Sequence, residues 1–273
     1  MKNITASCAL VFMLFSCASP WQKTPPQTSP AVKEDGGFKI PSLSRQAASG
    51  HWILRPQDNC IIIIGVSSRL IKHDSEIEAA KEDAARKAAM YHGISGSIES
   101  VHSAGAGFFD YVAETKIELD YDTGLAKYIE KLVFDPGHDV VITDEAVFVR
   151  FTYPAEAAPV DFTSALNNEG RPNWAYSRSL PQIEGYVTAV GFAINQVRLK
   201  DTVRKSTEAA VARMIEEMST HIESTDKAGT GTGAASIIQT RSGGRLNNFQ
   251  IIEFWIDPKT GYVYTLAAAK QIR

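Results

Sequence analysis

The sequence has few cysteines. Its 273 residues contain three of them, at positions 8, 17 and 60. Cys8 lies in a segment with the pattern of a cleaved signal, and Cys17, directly after that segment, is expected to be thioether-linked, so Cys60 is the one thiol expected in the mature protein. One thiol cannot close an intramolecular disulfide or supply a cysteine-rich zinc site. Because four isoleucines follow Cys60, we expect a small buried hydrophobic residue there and not a reactive thiol.

Long apolar runs and basic stripes are also missing after Cys17. A membrane-spanning helix needs about 20 apolar residues, so we expect a body that does not span a bilayer. The formal net charge is −3. A protein that binds nucleic acid needs a concentrated positive surface, so we expect no nucleic acid partner. The same argument speaks against charge-driven binding to anionic lipid.

The motifs of common enzymes are missing as well. The six histidines show no pairing at helical spacing that would place two metal ligands on one face. No serine or lysine nucleophile motif is present. Gly229-x-Gly231-x-Gly233 follows a predicted helix and precedes a predicted strand, the reverse of a phosphate-binding loop. We therefore predict no catalytic residues, no metal, no cofactor and no enzymatic activity.

The N-terminus has the pattern of a bacterial lipoprotein signal. Lys2 is followed by an apolar run from Ile4 to Phe15, and the small residue Ser16 directly precedes Cys17. The pattern predicts a signal peptide over residues 1–16, cleavage between Ser16 and Cys17, and acylation of Cys17. Several acyl chains on one residue make anchoring effectively permanent. The alternative is an ordinary secretory signal that happens to contain a cysteine.

The segment after Cys17 is expected to be a flexible tether over residues 17–50. Four prolines between positions 20 and 30 alternate with Gln, Thr, Ser and Lys, and two glycines follow at 36 and 37. Such a composition cannot bury a core and favours extended, solvated conformations.

The remaining sequence repeats itself. A first module over residues 51–154 and a second over 172–273 are joined by a linker over 155–171. Matching features are offset by 122 to 126 residues, as a duplication with loop insertions would produce. The matches are Trp52 with Trp174, Gly65 with Gly191, Ile98-Glu99-Ser100 with Ile222-Glu223-Ser224, and Asp135-Pro136 with Asp257-Pro258.

Each module is predicted to contain a strand, one helix and an antiparallel β-meander. The strands are short and β-branched, and the helices carry apolar residues at spacings of three, four and seven. Ser75-x-x-Glu78 predicts a capping box at the start of the first helix, and Asp201 or Thr202 can cap the second. The predicted fold class is α+β, with two tandem two-layer domains.

Together these features resemble the twenty-kilodalton membrane-associated lipoprotein family of the Helicobacter type. The second module carries most of the resemblance, through Trp174, Gly191, Trp255, Asp257 and Pro258. The resemblance implies an envelope lipoprotein whose fold is similar to the N-terminal domain of a flagellar assembly protein. It implies fold roles for these five residues and attaches no catalytic residue to the pattern.

We therefore expect a non-enzymatic lipoprotein, anchored to the membrane through Cys17. Ala18 after Cys17 favours the outer membrane, with the body facing the periplasm or the surface. The expected role is interaction with an envelope protein partner or assembly of an envelope structure. The alternative is an envelope enzyme or small-ligand-binding protein that uses a cleft between the two modules.

Overall fold

A computed structural model describes residues 41–104, 111–134, 139–177, 180–223 and 236–272. Residues Lys39–Arg273 form one compact unit. The fold is α+β, as the sequence predicts. Its helices are α1 (Leu43–Ser49), α2 (His73–His92), α3 (Ala126–Ile129) and α4 (Leu199–Glu223), with a 3-10 helix at Asn173–Tyr176. Its strands are β1 (His51–Ile53), β2 (Cys60–Ser68), β3 (Ile94–Ala104), β4 (Tyr111–Tyr121), β5 (Val140–Ile142), β6 (Ala146–Pro154), β7 (Val187–Ala193), β8 (Ser236–Ile256) and β9 (Val263–Gln271).

Two antiparallel sheets carry the helices. The larger sheet has the order β4-β3-β8-β9-β7, and β1 pairs with β8 beside this path. The smaller sheet has the order β2-β6-β5. Helix α2 packs mainly on β2, and α4 packs on β7, β9 and β8. The predicted apolar stripe of α4 (Val203, Ala210, Met214 and Met218) is buried.

The expected separation into two tandem domains is not confirmed. Strand β3, from the first predicted module, pairs along its length with β8, from the second. Strand β1 pairs with β8 as well. The predicted linker also packs on the sheet, where the Val160 amide donates to the Gln250 side chain at 3.1 Å. Unpaired strand edges favour this sharing, because adding a neighbouring strand satisfies their backbone groups.

Each predicted module nevertheless contains the same local arrangement of strand, helix and hairpin. In the first, β2 pairs with β6, whose hairpin partner is β5, and α2 covers β2. In the second, β7 pairs with β9, whose hairpin partner is β8, and α4 covers β7.

The same close helix–strand contact occurs in both halves. A Cβ atom at Gly65 would overlap the Ala80 carbonyl of α2, and one at Gly191 would overlap the Ser206 carbonyl of α4. Both pairs are related by an offset of 126 residues. Both glycines are therefore required by the close approach of a helix backbone to a strand.

Buried charged residues on α2 reinforce the first of these contacts. The Val66 amide donates to Asp83 at 2.9 Å, and the Lys87 ammonium donates to the Ile64 carbonyl at 2.6 Å. Lys87 also donates to Asp83 at 2.7 Å. These bonds fasten the helix to the strand on either side of Gly65.

Several local predictions are wrong. Residues 43–49 form α1 instead of continuing the tether, because Leu43 is buried and the Gln46 side chain bonds the backbone of Pro41 and Ile53. The first helix begins at His73, before the predicted capping box.

The matched Ile-Glu-Ser triplets are also not equivalent. The first lies in β3, whereas Ile222 and Glu223 belong to α4. Asp135-Pro136 and the glycines at 229, 231 and 233 lie outside the described residues.

Cys60 is half-buried at the start of β2, more exposed than predicted, and it is a free thiol. Within the described ranges, no helix is long and apolar enough to cross a membrane.

Candidate functional site

The loops that follow β2 and β7 lie side by side and form one end of the fold, here called the loop end. It comprises loop 69–72 before α2, loop 194–198 before α4, and turn 143–145 between β5 and β6. A cleft of about 440 Å³ opens between them. Its lining comes from both halves of the chain, as Ser68, Arg69, Leu70, Glu145, Asn195, Gln196, Val197, Arg198 and Leu199.

Glu76 organises the first loop. Its buried carboxylate accepts hydrogen bonds from the Leu70 amide at 2.7 Å, Arg69 Nε at 2.8 Å and His73 Nδ1 at 2.9 Å. The hydrogen bonds from His73, Leu70 and Arg69 lower the pKa of Glu76 to about 2. Arg69 also donates to the Thr143 carbonyl at 2.8 Å. The loop is therefore tied both to α2 and to the neighbouring turn.

Thr202 plays the corresponding part in the second loop. Its hydroxyl accepts a hydrogen bond from the Gln196 amide at 3.0 Å, and Thr202 is buried. Leu70 with Glu76 and Gln196 with Thr202 are related by the same offset of 126 residues as the two glycines. Both loops thus turn into their helices through one bond between a loop amide and a buried oxygen.

The tips of the two loops carry fully exposed apolar residues. Ile71 and Val197 have relative exposures of 105% and 103%, and they too are offset by 126 residues. A basic residue follows each of them, Lys72 and Arg198. The cleft between the tips combines apolar side chains with two guanidinium groups and the Glu145 carboxylate.

Two of the fold residues inferred from the family resemblance, Trp174 and Trp255, lie in one buried cluster. They pack together with Tyr264 and with Val190, the neighbour of Gly191 in β7. Trp174 Nε1 donates to Glu253 at 2.6 Å. These residues join the 3-10 helix to the large sheet and do not line the cleft.

Glu253 is a buried charged residue that the sequence patterns did not single out. It is fully buried, and besides Trp174 it accepts hydrogen bonds from His51 Nε2 at 2.9 Å, Ser164 Oγ at 2.6 Å and the Ser164 amide at 2.7 Å. Burial raises the pKa of Glu253, but these hydrogen bonds outweigh it, and the net shift is downward. A carboxylate in the apolar run Ile251–Ile256 was the available signal.

The Glu253 cluster stabilises the packing of the chain on β8. Its carboxylate has no exposed surface and already has four donors. Because a buried charge without partners is strongly unfavourable, this carboxylate holds His51, Ser164 and Trp174 against β8. It has no path to a substrate.

Asp257 and Pro258 form the turn between β8 and β9. The Asp257 carboxylate accepts hydrogen bonds from the Lys259 amide and the Thr260 hydroxyl, each at 2.9 Å. Pro258 is exposed. At Gly261, φ is +70°, a conformation that glycine adopts without strain. This turn lies next to the second loop, because the Asn195 side chain packs on Gly261.

Ser16 and Cys17, the predicted cleavage and lipidation residues, lie outside the described residues. Within the described ranges, no group of three or more His, Cys, Asp or Glu side chains is placed to hold a metal ion. A second cavity, between the two sheets, has only about 20 Å³, roughly the space for one water molecule.

The comparisons with known proteins found no match. No protein-family model matches the chain, and neither a curated protein nor a solved structure is significantly similar to it. The resemblance to the twenty-kilodalton lipoprotein family therefore stays a hypothesis that rests on the sequence pattern.

Proposed function

We propose that the protein is a bacterial envelope lipoprotein, anchored by an acylated Cys17 and acting without catalysis through contacts with a protein partner. The observation that carries the proposal is the Lys2-to-Cys17 pattern, in which an apolar run ends at Ser16-Cys17. In the sequence, residues 18–38 separate this cysteine from the compact unit Lys39–Arg273. This arrangement suits a folded body held at a membrane by its N-terminus.

The interior of the fold is consistent with a non-catalytic role. Each of the strongly buried carboxylates of Glu76, Asp83 and Glu253 is bonded to backbone or side-chain groups that hold elements together. General acid or base catalysis needs a group that can reach a substrate proton. These three carboxylates act in packing instead.

Palmitate labelling tests the anchor. In cells fed a labelled palmitate analogue, the wild-type chain is expected to be labelled and membrane-bound. Cys17→Ala is expected to be unlabelled and to accumulate with its signal uncleaved. Cys8→Ala and Cys60→Ala are matched controls, because they remove the other two cysteines, and both should behave as wild type. A labelled Cys17→Ala chain would contradict the proposal.

The partner is tested by cross-linking in the intact envelope, followed by mass spectrometry. The proposal predicts one dominant protein attached at a stoichiometric level. Self-links alone would contradict an assembly role.

A small-ligand-binding function is the second candidate, and the loop-end cleft favours it. The cleft has a volume within the range of small-molecule sites. In the described part of the chain, the buried hydroxyl of Ser68, a lining residue, has no hydrogen-bond partner. Native mass spectrometry of the purified protein should reveal a co-purifying small molecule if this candidate is right, and the bare chain mass if it is not.

A further inference from the structure

We propose that the loop end is the membrane-facing surface of the protein, with Ile71 and Val197 inserted in the interfacial region of the bilayer and Lys72 and Arg198 beside the lipid phosphates. The inference rests on the proposed acyl anchor at Cys17. It adds an orientation for the folded body and assigns a contact to two loops.

Exposed apolar residues are concentrated at the loop end. Eleven large hydrophobic side chains are exposed in the described part of the chain. Six of them lie in the two loops, in the last residues of β7, or at the end of β5: Leu70, Ile71, Ile142, Phe192, Ile194 and Val197. Single exposed apolar residues are ordinary, but a group at one end marks an interaction surface.

The chemistry of the tips fits a bilayer interface. Each tip presents one β-branched side chain with essentially all of its surface in solvent, followed by a cation at the next position. Apolar side chains enter the boundary between headgroups and acyl chains, and lysine or arginine lies at the phosphate level. Because the two tips are separate points on one face, they can enter the interface together.

The chain also reaches the fold at this end. The Gly50 carbonyl, just after α1, accepts a hydrogen bond from the Ile256 amide at 2.7 Å, at the last residue of β8. Helix α1 also packs on β5, which runs into turn 143–145. The described chain, which begins at residue 41, therefore enters the folded unit at the same end as the two loops. This entry point and the exposed tips together are the basis of the proposed orientation.

Charge alone would not produce this contact. Glu145 lines the cleft, Asp144 is exposed beside it, and Glu76 is already bonded to Arg69 and His73. These carboxylates thus offset part of the positive charge of the loop end. The expected binding is driven by apolar insertion, with the acyl anchor supplying the attachment.

Depth-dependent fluorescence quenching tests the orientation. The full acylated chain, in a Cys60→Ser background, is labelled with an environment-sensitive dye at Ile71→Cys, Val197→Cys or Ile272→Cys. Each protein is reconstituted on vesicles of phosphatidylethanolamine and phosphatidylglycerol with or without spin-labelled lipid. Ile272 is the matched control, because it is an exposed apolar residue next to the end of β9, opposite the end that pairs with Ala193.

We expect a blue shift and strong quenching by the spin-labelled lipid at positions 71 and 197, and neither at position 272. Equal quenching at all three positions, or none at 71 and 197, would overturn the inference. Protection of 71 and 197 by a cross-linked envelope protein, without lipid quenching, would overturn it as well and assign the tips to the partner. If the chain instead fails to stay on the vesicles or carries no acyl group, it is the proposed anchor that fails.

A variant with both tip residues replaced provides a second test. With the dye at Ile194→Cys, the double variant Ile71→Asn with Val197→Asn should lose the lipid quenching, whereas Ile272→Asn should keep it. Both residues are fully exposed, so the substitutions leave the core intact. Unchanged quenching at position 194 in the double variant would contradict insertion through the tips.

Discussion

The Glu76 carboxylate accepts a hydrogen bond from the Leu70 amide at 2.7 Å, and this one bond sets the course of the loop that presents Ile71. The second half of the chain repeats the bond with Thr202 and Gln196 at 3.0 Å. A carboxylate and a hydroxyl at matched positions thus each accept a hydrogen bond from a loop amide. The stability of the first loop should depend on pH and that of the second should not, because only a carboxylate titrates in the acidic range.

Acid should therefore weaken the first loop. The pKa of Glu76 is lowered from 4.5 to about 2 by its hydrogen bonds, so the charged form stabilises the folded state. That contribution is fully present above about pH 4.5 and is lost as the pH falls toward about 2. In urea unfolding, Glu76→Gln should be less stable than wild type at pH 7, and the difference should shrink between pH 4.5 and pH 2. A difference that does not change with pH would contradict the assignment.

Alanine at Gly65 or Gly191 should strongly destabilise the fold. The added methyl group would overlap the backbone carbonyl of Ala80 or Ser206, and backbone of a helix cannot move aside locally. We expect a loss of about 3 kcal/mol or more in the free energy of unfolding for each variant. Gly93→Ala is the control, because no heavy atom lies within 4 Å of its Cβ position. Denaturant unfolding measures all three, and an equal effect of Gly93→Ala would refute the packing argument.

Removing the Glu253 carboxylate should weaken the packing of β1, the predicted linker and the 3-10 helix on β8. In Glu253→Ala, the buried residues His51 and Trp174 and the half-buried Ser164 lose the acceptor of their hydrogen bonds. The expected cost is about 3 kcal/mol in the free energy of unfolding. Glu130→Ala changes an exposed carboxylate and should cost little. If both variants unfold at the same denaturant concentration as wild type, the cluster does not stabilise the fold.

The side chain of Asp257 should contribute less than that of Glu253 to the free energy of unfolding. Asp257→Ala removes the acceptor for the Lys259 amide and the Thr260 hydroxyl, at an expected cost of about 1–2 kcal/mol. Asp144→Ala is a matched control in the turn between β5 and β6, where the aspartate is exposed. Thermal unfolding should show a lower midpoint for Asp257→Ala than for Asp144→Ala. The reverse order would contradict the assigned bonds.

The features that could be predicted depend on neighbours in the sequence. Apolar spacing located α2 and α4 and the buried stripe of α4, because a helix brings residues three and four apart onto one face. The repeated glycines predicted equivalent positions, and the two glycines do make the same contact. The predicted capping box of Ser75 and Glu78 was wrong because the helix already begins at His73, and Glu76 instead bonds the loop amide of Leu70.

The candidate site could be predicted only in part. The exposed residues Ile71 and Val197 lie in loops that the helix and strand patterns delimit, but their position beside one another depends on how the halves pack. Glu253 has partners 79, 89 and 202 residues away in sequence. No local pattern indicates such partners, because the path of the chain through the sheets brings them together.

The sequence by itself determined the α+β class, the approximate positions of α2 and α4, the internal correspondence at 126 residues, and the Ser16-Cys17 pattern on which the proposed anchor rests. The tertiary structure decided that strands of both halves share one sheet, that a buried glutamate locks His51 to Trp174, and that the two loops form one surface. The physical reason is the range of the interactions. Periodicity, turn preference and signal patterns act over a few residues, whereas strand pairing and burial join residues that only the folded chain brings into contact.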